Sequence, residues 1–264
     1  MGSGKGKTRR VRGSAAKTIS SSLVVREDGQ KEWHVDGDPD KPRHRLDGPA
    51  VERADGTKEW RQNDQLHRVG GPAIIYMDGS GIWYHEGEIH RVGGPAREHS
   101  DGSKAWYVKG LLHRVGGPAV DDAGGKKEWW RDGKLYREGG LPTAEYVMDG
   151  QNVREWWVGD YDENVLHRED GPAIERENGD NEWFEHGKRH RVGAPAVARE
   201  GGTEEWWVHG IRHRLDGPAI IFMNSGKKEW WFDGEQLGEE EFKSAMFFKQ
   251  LEEVRLETPE KVTF

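Results

Sequence analysis

The chain has 264 residues, a formal net charge of −8 and no cysteine, so disulfides and thiolate metal centres are excluded while a reducing compartment is permitted. Hydrophobic residues are 33% of the chain and charged residues also 33%, which is lean for a globular core and leaves 13 Trp, 7 Phe and 6 Tyr to supply much of the burial. No run of 18 apolar residues occurs, and no apolar signal-peptide core follows the basic start.

Residues 1–25 read as a basic flexible arm rich in glycine and serine. Lys5, Lys7, Arg9, Arg10, Arg12 and Lys17 give it a charge of +6 with no acid, so the remaining chain carries −14. Two readings stand side by side: an anchor onto nucleic acid or an acidic protein surface, and a solubilising tail. An Arg-rich, acid-poor start is also compatible with an organellar transit peptide. The "GKT" at 6–8 lacks the upstream glycine and preceding strand of a phosphate loop, and Gly6 stands where a myristoylation signal has Ser or Thr.

From residue 26 the chain repeats. His44, His67, His90, His113, Tyr136, His167, His190 and His213 are separated by steps of 23, 23, 23, 23, 31, 23 and 23. Tryptophans at 33, 60, 83, 106, 129, 156, 183, 206 and 230 keep the same register. Such a period predicts a stacked array in which each unit contacts mainly its neighbours. After each "GPA" comes a short apolar segment, then a turn pair (Asp55-Gly56, Asp78-Gly79, Asp101-Gly102, Asn178-Gly179) of residues that tolerate positive φ. A second segment follows and ends at another glycine before "HR". The spacing predicts one hairpin and a linking turn per unit. The fold class expected is all-β: an elongated antiparallel meander of about eight 23-residue hairpin repeats, roughly 75 Å long at two strands per unit, with a short C-terminal helix.

The 31-residue step contains two insertions of four, one before Trp156 and one after it, and the first unit carries a similar insertion before His44. These are expected to form loops and to mark a binding face. In "DGDPDKP" (36–42), Asp36, Asp38 and Asp40 have calcium-loop spacing. However, Lys41 stands where such a loop needs glycine and Asp47 where it needs glutamate, so a solvated loop is expected.

"HRVGGPA" pairs histidine with arginine, yet an active site needs different groups converging once, whereas these recur in every unit. No catalytic residue, metal or cofactor is assigned. The arginines (Arg45, Arg68, Arg91, Arg114, Arg137, Arg168, Arg191 and Arg214) and the tryptophans (Trp60, Trp83, Trp106, Trp129, Trp183 and Trp206) are expected to be structural parts of the repeat. Each arginine should lie on a tryptophan face or pair with one of the glutamates preceding the tryptophans (Glu32, Glu59, Glu128, Glu155, Glu182, Glu205, Glu229). A row of Arg and His gripping an anionic polymer is the sharper alternative, and the abundant acids weigh against it. At the C-terminus, 238–257 places Phe242, Met246 and Lys249 on one helical face with Ala245, Phe248 and Leu251 adjoining. This helix is expected to cap the sheet, with partner docking as its functional reading. The domains expected are thus 1–25, 26–237 and 238–264.

The unit of aromatic, glycine, "HR", "GPA" and "DG" resembles MORN-type repeats over roughly 26–237, although Gly-Pro-Ala stands where the MORN pattern has Gly-x-Gly. It more closely resembles tandem "DGxxxWxxxGxxHRxDGPA" units of uncharacterised tailed-phage and giant-virus proteins, as in "HREDGPAIERENGDNEWFEHGKRHR" at 167–191. The resemblance implies a non-enzymatic scaffold with protein partners in a larger assembly, a cytoplasmic or virion-associated setting, and sometimes acidic-lipid binding. The runner-up is a nucleic-acid or acidic-lipid adaptor acting through the basic arm.

Overall fold

The computed structural model describes residues 19–160 and 163–257. The chain forms two compact units that meet in sequence between Gly87 and Glu88. Both are built of regularly spaced antiparallel hairpins, and the second ends in a single helix, so the fold is all-β with one C-terminal helix.

In the first unit the meander runs through Ser21–Val25, Lys31–Val35, Val51–Glu52, Lys58–Glu59, Ile74–Ile75 and Gly81–Ile82, each paired with the next. In the second it runs from Arg97–Glu98 and Lys104–Ala105 through to Ile220–Phe222 and Lys227–Phe232 in the same way. Most strands are two residues long, so each hairpin depends on its neighbours for lateral support.

The "DG" pairs form turns of a different kind from the one the sequence suggests. Only the glycine has positive φ: Gly56 +87°, Gly79 +87°, Gly102 +94° and Gly179 +92°. The loop has five residues. In the third such turn, Gly102 N–H donates to the His99 carbonyl and His99 N–H to the Ser103 carbonyl, which is a type I turn followed by a glycine bulge. The aspartate stays at negative φ because its side chain is engaged in holding the turn closed. Asp101 Oδ1 accepts from Ser103 N–H at 2.7 Å, as Asp55 does from Thr57 at 2.8 Å.

Each unit also contains a second hairpin that the sequence pattern hides. Arg61–Gln62 pairs with Gln65–Leu66, Tyr107–Val108 with Leu111–Leu112, and Trp207–Val208 with Ile211–Arg212. What looked like a linking turn is a two-residue type I′ turn with both residues left-handed: Lys109 at φ 49° with Gly110 at 78°, His209 at 47° with Gly210 at 86°. A repeat therefore has four short strands, two in the main sheet and two in a separate ribbon. The tryptophan is the crossing point. Trp106 donates its N–H to Ala119 of the main-sheet layer at 2.8 Å, while its carbonyl accepts from His113 of the ribbon at 3.0 Å.

The floor of the core is alanine. Ala50 and Ala73 in the first unit, and Ala96, Ala119, Ala173, Ala196 and Ala219 in the second, are fully buried. Val51, Val153 and Val197 are the largest fully buried side chains. Most register tryptophans are only half-buried, so the aromatics act as walls more than as filling.

The 31-residue unit lengthens its strands instead of growing loops. Ala144–Met148 pairs with Gln151–Glu155 over five residues, closed by a type I′ turn at Asp149-Gly150, and Trp157–Asp160 pairs with Glu163–Leu166 over four. Adding pairs to a ladder leaves no backbone group unsatisfied, whereas a loop would. One further residue enters the corner itself, at Gly139-Gly140-Leu141. The insertion of the first unit does form a loop, in which Lys41 Nζ meets Asp36 Oδ2 at 2.9 Å and Lys41 O contacts His34 Nδ1.

Helix α1 (Glu239–Glu257) begins at Gly238, whose N–H donates to Glu241 Oε2 at 2.9 Å and whose carbonyl accepts from Phe242. Phe242 is buried against Trp230 with ring centroids 5.0 Å apart, and Lys249 Nζ lies 5.1 Å from the Phe232 ring. Phe248, expected beside that face, points outward and is 66% exposed.

Candidate functional site

The corner "HRxxGPA" is a closed set of contacts. The guanidinium carbon lies over the tryptophan eight residues back in Arg68–Trp60 (3.7 Å), Arg114–Trp106 (3.7 Å), Arg137–Trp129 (3.6 Å), Arg191–Trp183 (3.8 Å) and Arg214–Trp206 (3.9 Å). Across the longer units the same stack forms over twelve residues, in Arg45–Trp33 at 4.1 Å and Arg168–Trp156 at 3.8 Å. Trp83 follows Gly81–Ile82 at the equivalent position and is half-buried. In all eight corners, Arg91 included, Nη1 donates to the carbonyl of the corner proline at 2.8–3.2 Å.

The glycine and proline of "GPA" follow from this. A Cβ on Gly71, Gly117 or Gly171 would sit 3.0, 2.9 and 2.9 Å from the guanidinium carbon, so glycine lets the arginine pass over the backbone. Proline cannot donate, which leaves its carbonyl as the one polar group turned to the arginine. Burial alone pulls Arg68 and Arg191 below the usual guanidinium pKa, a sign of how far the stacked group is withdrawn from water.

The motif histidine bonds to the adjacent ribbon. Its Nδ1 accepts the N–H of the first turn residue 19 positions on: Glu86 to His67 (3.1 Å), Lys109 to His90 (3.1 Å), His186 to His167 (3.2 Å) and His209 to His190 (3.2 Å). Where Nδ1 only accepts, as in the bond from His209 N–H to His190, the ring proton sits on Nε2; His213 Nδ1 lies 2.8 Å from Asp233 Oδ1 and there carries the proton. One histidine pair gains a carboxylate: Glu185, His190 and His209 hold ligand atoms within 4.8 Å of one another, with the two rings stacked at 4.2 Å. A metal on His190 Nε2 would displace that proton to Nδ1 and break the turn bond, so this trio is better suited to its present hydrogen bonds.

Four of the glutamates before the tryptophans, Glu32, Glu59, Glu182 and Glu205, bind arginines outside the corner motif. Glu59 is bonded by Arg53 and by Arg61 at 2.7 Å; Glu182 is bonded by Arg189 (2.7 Å), Arg176 (3.0 Å) and Arg199 (3.0 Å). Burial would raise both carboxyl pKa values, but the arginine bonds outweigh it and hold both below the ordinary range. The sequence alone could not separate the two arginine sets: motif arginines stack on indoles, and Arg91, Arg137 and Arg168 pair with Glu98, Glu145 and Glu175, whereas Glu59 and Glu182 are held by arginines outside the corner motif.

The regular pattern opens at the 31-residue unit. A cleft of about 600 Å³ is lined by Leu135, Arg137, Leu141, Trp156, Trp157, Val158, Arg168 and Asp170. A second, of about 500 Å³, is lined by Glu128, Trp130, Leu135, Tyr146, Glu155 and Trp157. Beside them Leu141 is 50% exposed, and Glu138 and Glu169 occupy the position where other corners expose Val69, Val92, Val115 or Val192. The arm cations Lys5, Lys7, Arg9, Arg10, Arg12 and Lys17 lie outside the described residues. Among known proteins, no family model and no curated protein matches this chain, which stands as a β-hairpin repeat protein on its own sequence and structure.

Proposed function

We propose that this chain is a non-enzymatic repeat scaffold that assembles with protein partners, and that the 31-residue unit is its principal contact region. The observation that carries this reading is the coincidence of the two clefts with the unit in which the 23-residue step becomes 31. An array of equal repeats presents equal surfaces, so a partner that must bind at one place needs an irregularity. The non-enzymatic reading is supported by the recurrence of the arginine and histidine from unit to unit, each engaged in the same local bonds. The likeness to MORN-type repeats and to tandem phage and giant-virus units favours a structural part of a larger assembly, a virion among them.

Crosslinking mass spectrometry on the native source tests the proposal. Crosslinks to a partner should concentrate on residues 126–170, and Trp157→Ala with Leu141→Asp should remove them. Crosslinks spread evenly over the repeats would count against it.

The +6 arm on an acidic body supports a second reading, a nucleic-acid or acidic-lipid adaptor. Removing residues 1–18 separates the two. Loss of binding to duplex DNA or phosphatidylserine vesicles with partner crosslinks lost as well favours the adaptor; intact crosslinks favour the scaffold.

A further inference from the structure

The second cleft of the 31-residue unit has an internal template elsewhere in the same chain. In the last full repeat, Arg212 projects between two indoles, 4.8 Å from the Trp207 ring and 5.1 Å from the Trp231 ring, with Glu205 Oε2 3.4 Å from its Nη2. Trp207 is the cross-strand partner of Arg212, and its Nε1 donates to the same Glu205 at 3.0 Å. The preceding repeat shows the device again: Arg189 lies between Phe184 (5.5 Å) and Trp207 (5.4 Å) and is bonded to Glu182. A cation between aromatic walls beside a carboxylate is a stable arrangement because the ring faces and the carboxylate all attract it.

The cleft has the same kind of walls without the arginine, and the cation among its lining residues is Lys126. Trp130 is the cross-strand partner of residue 135, as Trp207 is of 212, and its Nε1 donates to Glu128 at 2.9 Å, as that of Trp207 does to Glu205. Trp157 takes the place of Trp231, and its Nε1 donates to Glu155 Oε2 at 2.8 Å. Residue 135, however, is leucine, buried at the base. Leu135 lines a cleft of about 500 Å³ together with both tryptophans and both glutamates.

Charge points the same way. Glu155 is held by two neutral donors, Tyr146 Oη at 2.7 Å and the Trp157 indole, with no cation on it among the described residues. Burial first, and then that carboxylate, push the Tyr146 phenol upward in pKa, so it remains a neutral donor. Glu128 has one cation, Lys126 Nζ at 2.5 Å, on a half-exposed and flexible side chain. Each carboxylate oxygen retains a lone pair beyond the bonds it already accepts.

We propose that this cleft is a guanidinium site, which takes an arginine side chain of a partner peptide between Trp130 and Trp157 and onto Glu128 and Glu155. It gives the partner of the assembly reading a chemistry, and rests on that reading for the source of the arginine.

The probe is a synthetic peptide of residues 5–17 of this chain, which offers Arg9, Arg10 and Arg12, compared with its citrulline form. Citrulline keeps the shape and removes the charge. Binding to the full chain is measured by calorimetry and by the indole N–H resonances of Trp130 and Trp157. The arginine peptide should bind and move both resonances, and the citrulline peptide should bind at least about tenfold more weakly. Glu155→Gln should weaken binding by a similar factor. Leu135→Arg should abolish it by filling the cleft with an internal guanidinium, and this variant copies a device the fold already holds at Arg212, so it should remain folded. Equal binding of the two peptides, undiminished binding to Leu135→Arg, unmoved resonances, or no binding at millimolar peptide would each overturn the proposal. None of these results alters the crosslink map, so failure here is separable from failure of the scaffold role.

Discussion

A guanidinium stacked on an indole and bonded to a carbonyl is held from two directions, and the two can be separated by mutation. Arg114→Ala removes both the Trp106 contact and the bond to Pro118, and is expected to destabilise by about 2–3 kcal/mol. Arg114→Lys keeps the charge but loses the planar stack, and should cost about 1 kcal/mol. Gly117→Ala should cost less than about 1 kcal/mol, because Ala194 already occupies that position in another corner with Arg191 still 3.8 Å from Trp183. Urea denaturation of the three variants gives the order; equal losses would mean that the stack contributes nothing. At the same scale, the depressed pKa values of Glu59 and Glu182 make stability depend on pH. Their contribution is complete above the ordinary carboxyl value of 4.5 and is lost as pH falls through the lower folded-state values. Glu182→Gln should therefore lower the urea midpoint at pH 7 and leave a shallower loss of stability between about pH 5 and 3.

At the level of the hairpin, the two turns of each repeat were unequally legible. The bulged turn is announced by Asp-Gly, and its position follows from sequence even though its type does not: the aspartate accepts a backbone N–H and only the glycine goes left-handed. The ribbon turn is announced by Asp-Gly only at Asp132-Gly133 and Asp233-Gly234; Glu86, Lys109, His186 and His209 as first residues do not signal a type I′ turn, and most ribbon strands are only two residues long, too short for alternation to show. The pairing of arginine with tryptophan was readable as an alternative to pairing with glutamate. The choice was not, since both partners lie within reach of a repeat that has more than one arginine. The cleft beside Leu135 was also hidden, because it becomes visible only once Trp130 and Trp157 are known to line one space. The turn geometry gives a direct test. Lys109 at φ 49° holds a conformation in which asparagine is favoured, so Lys109→Asn should stabilise by about 0.5 kcal/mol, and Gly110→Ala, at φ 78°, should destabilise by about 1–2 kcal/mol, both read from urea midpoints.

For the whole molecule, stability is expected to be the sum of repeats and of the bonds between neighbours. Excising residues 97–119 joins Ala96 to Val120 in register and removes one complete repeat of the second unit, its Trp106–Arg114 stack included. The shortened chain should fold, with near-UV dichroism retained and a smaller denaturant slope in proportion to the surface lost. Excising about half a repeat instead would place strand against corner and should abolish the near-UV signal.

The reach of the arginine clamp has a consequence for how such a chain can change over generations. From tryptophan to arginine to proline carbonyl, the clamp spans only a dozen residues in a regular unit, and it makes no demand on any other copy. A slip in copying the gene that gains or loses one whole unit therefore yields a protein whose corners are already complete. Length is a freely adjustable trait in this architecture, and the step that departs from 23 is the one position a lineage could not exchange for another copy without losing what is particular to it.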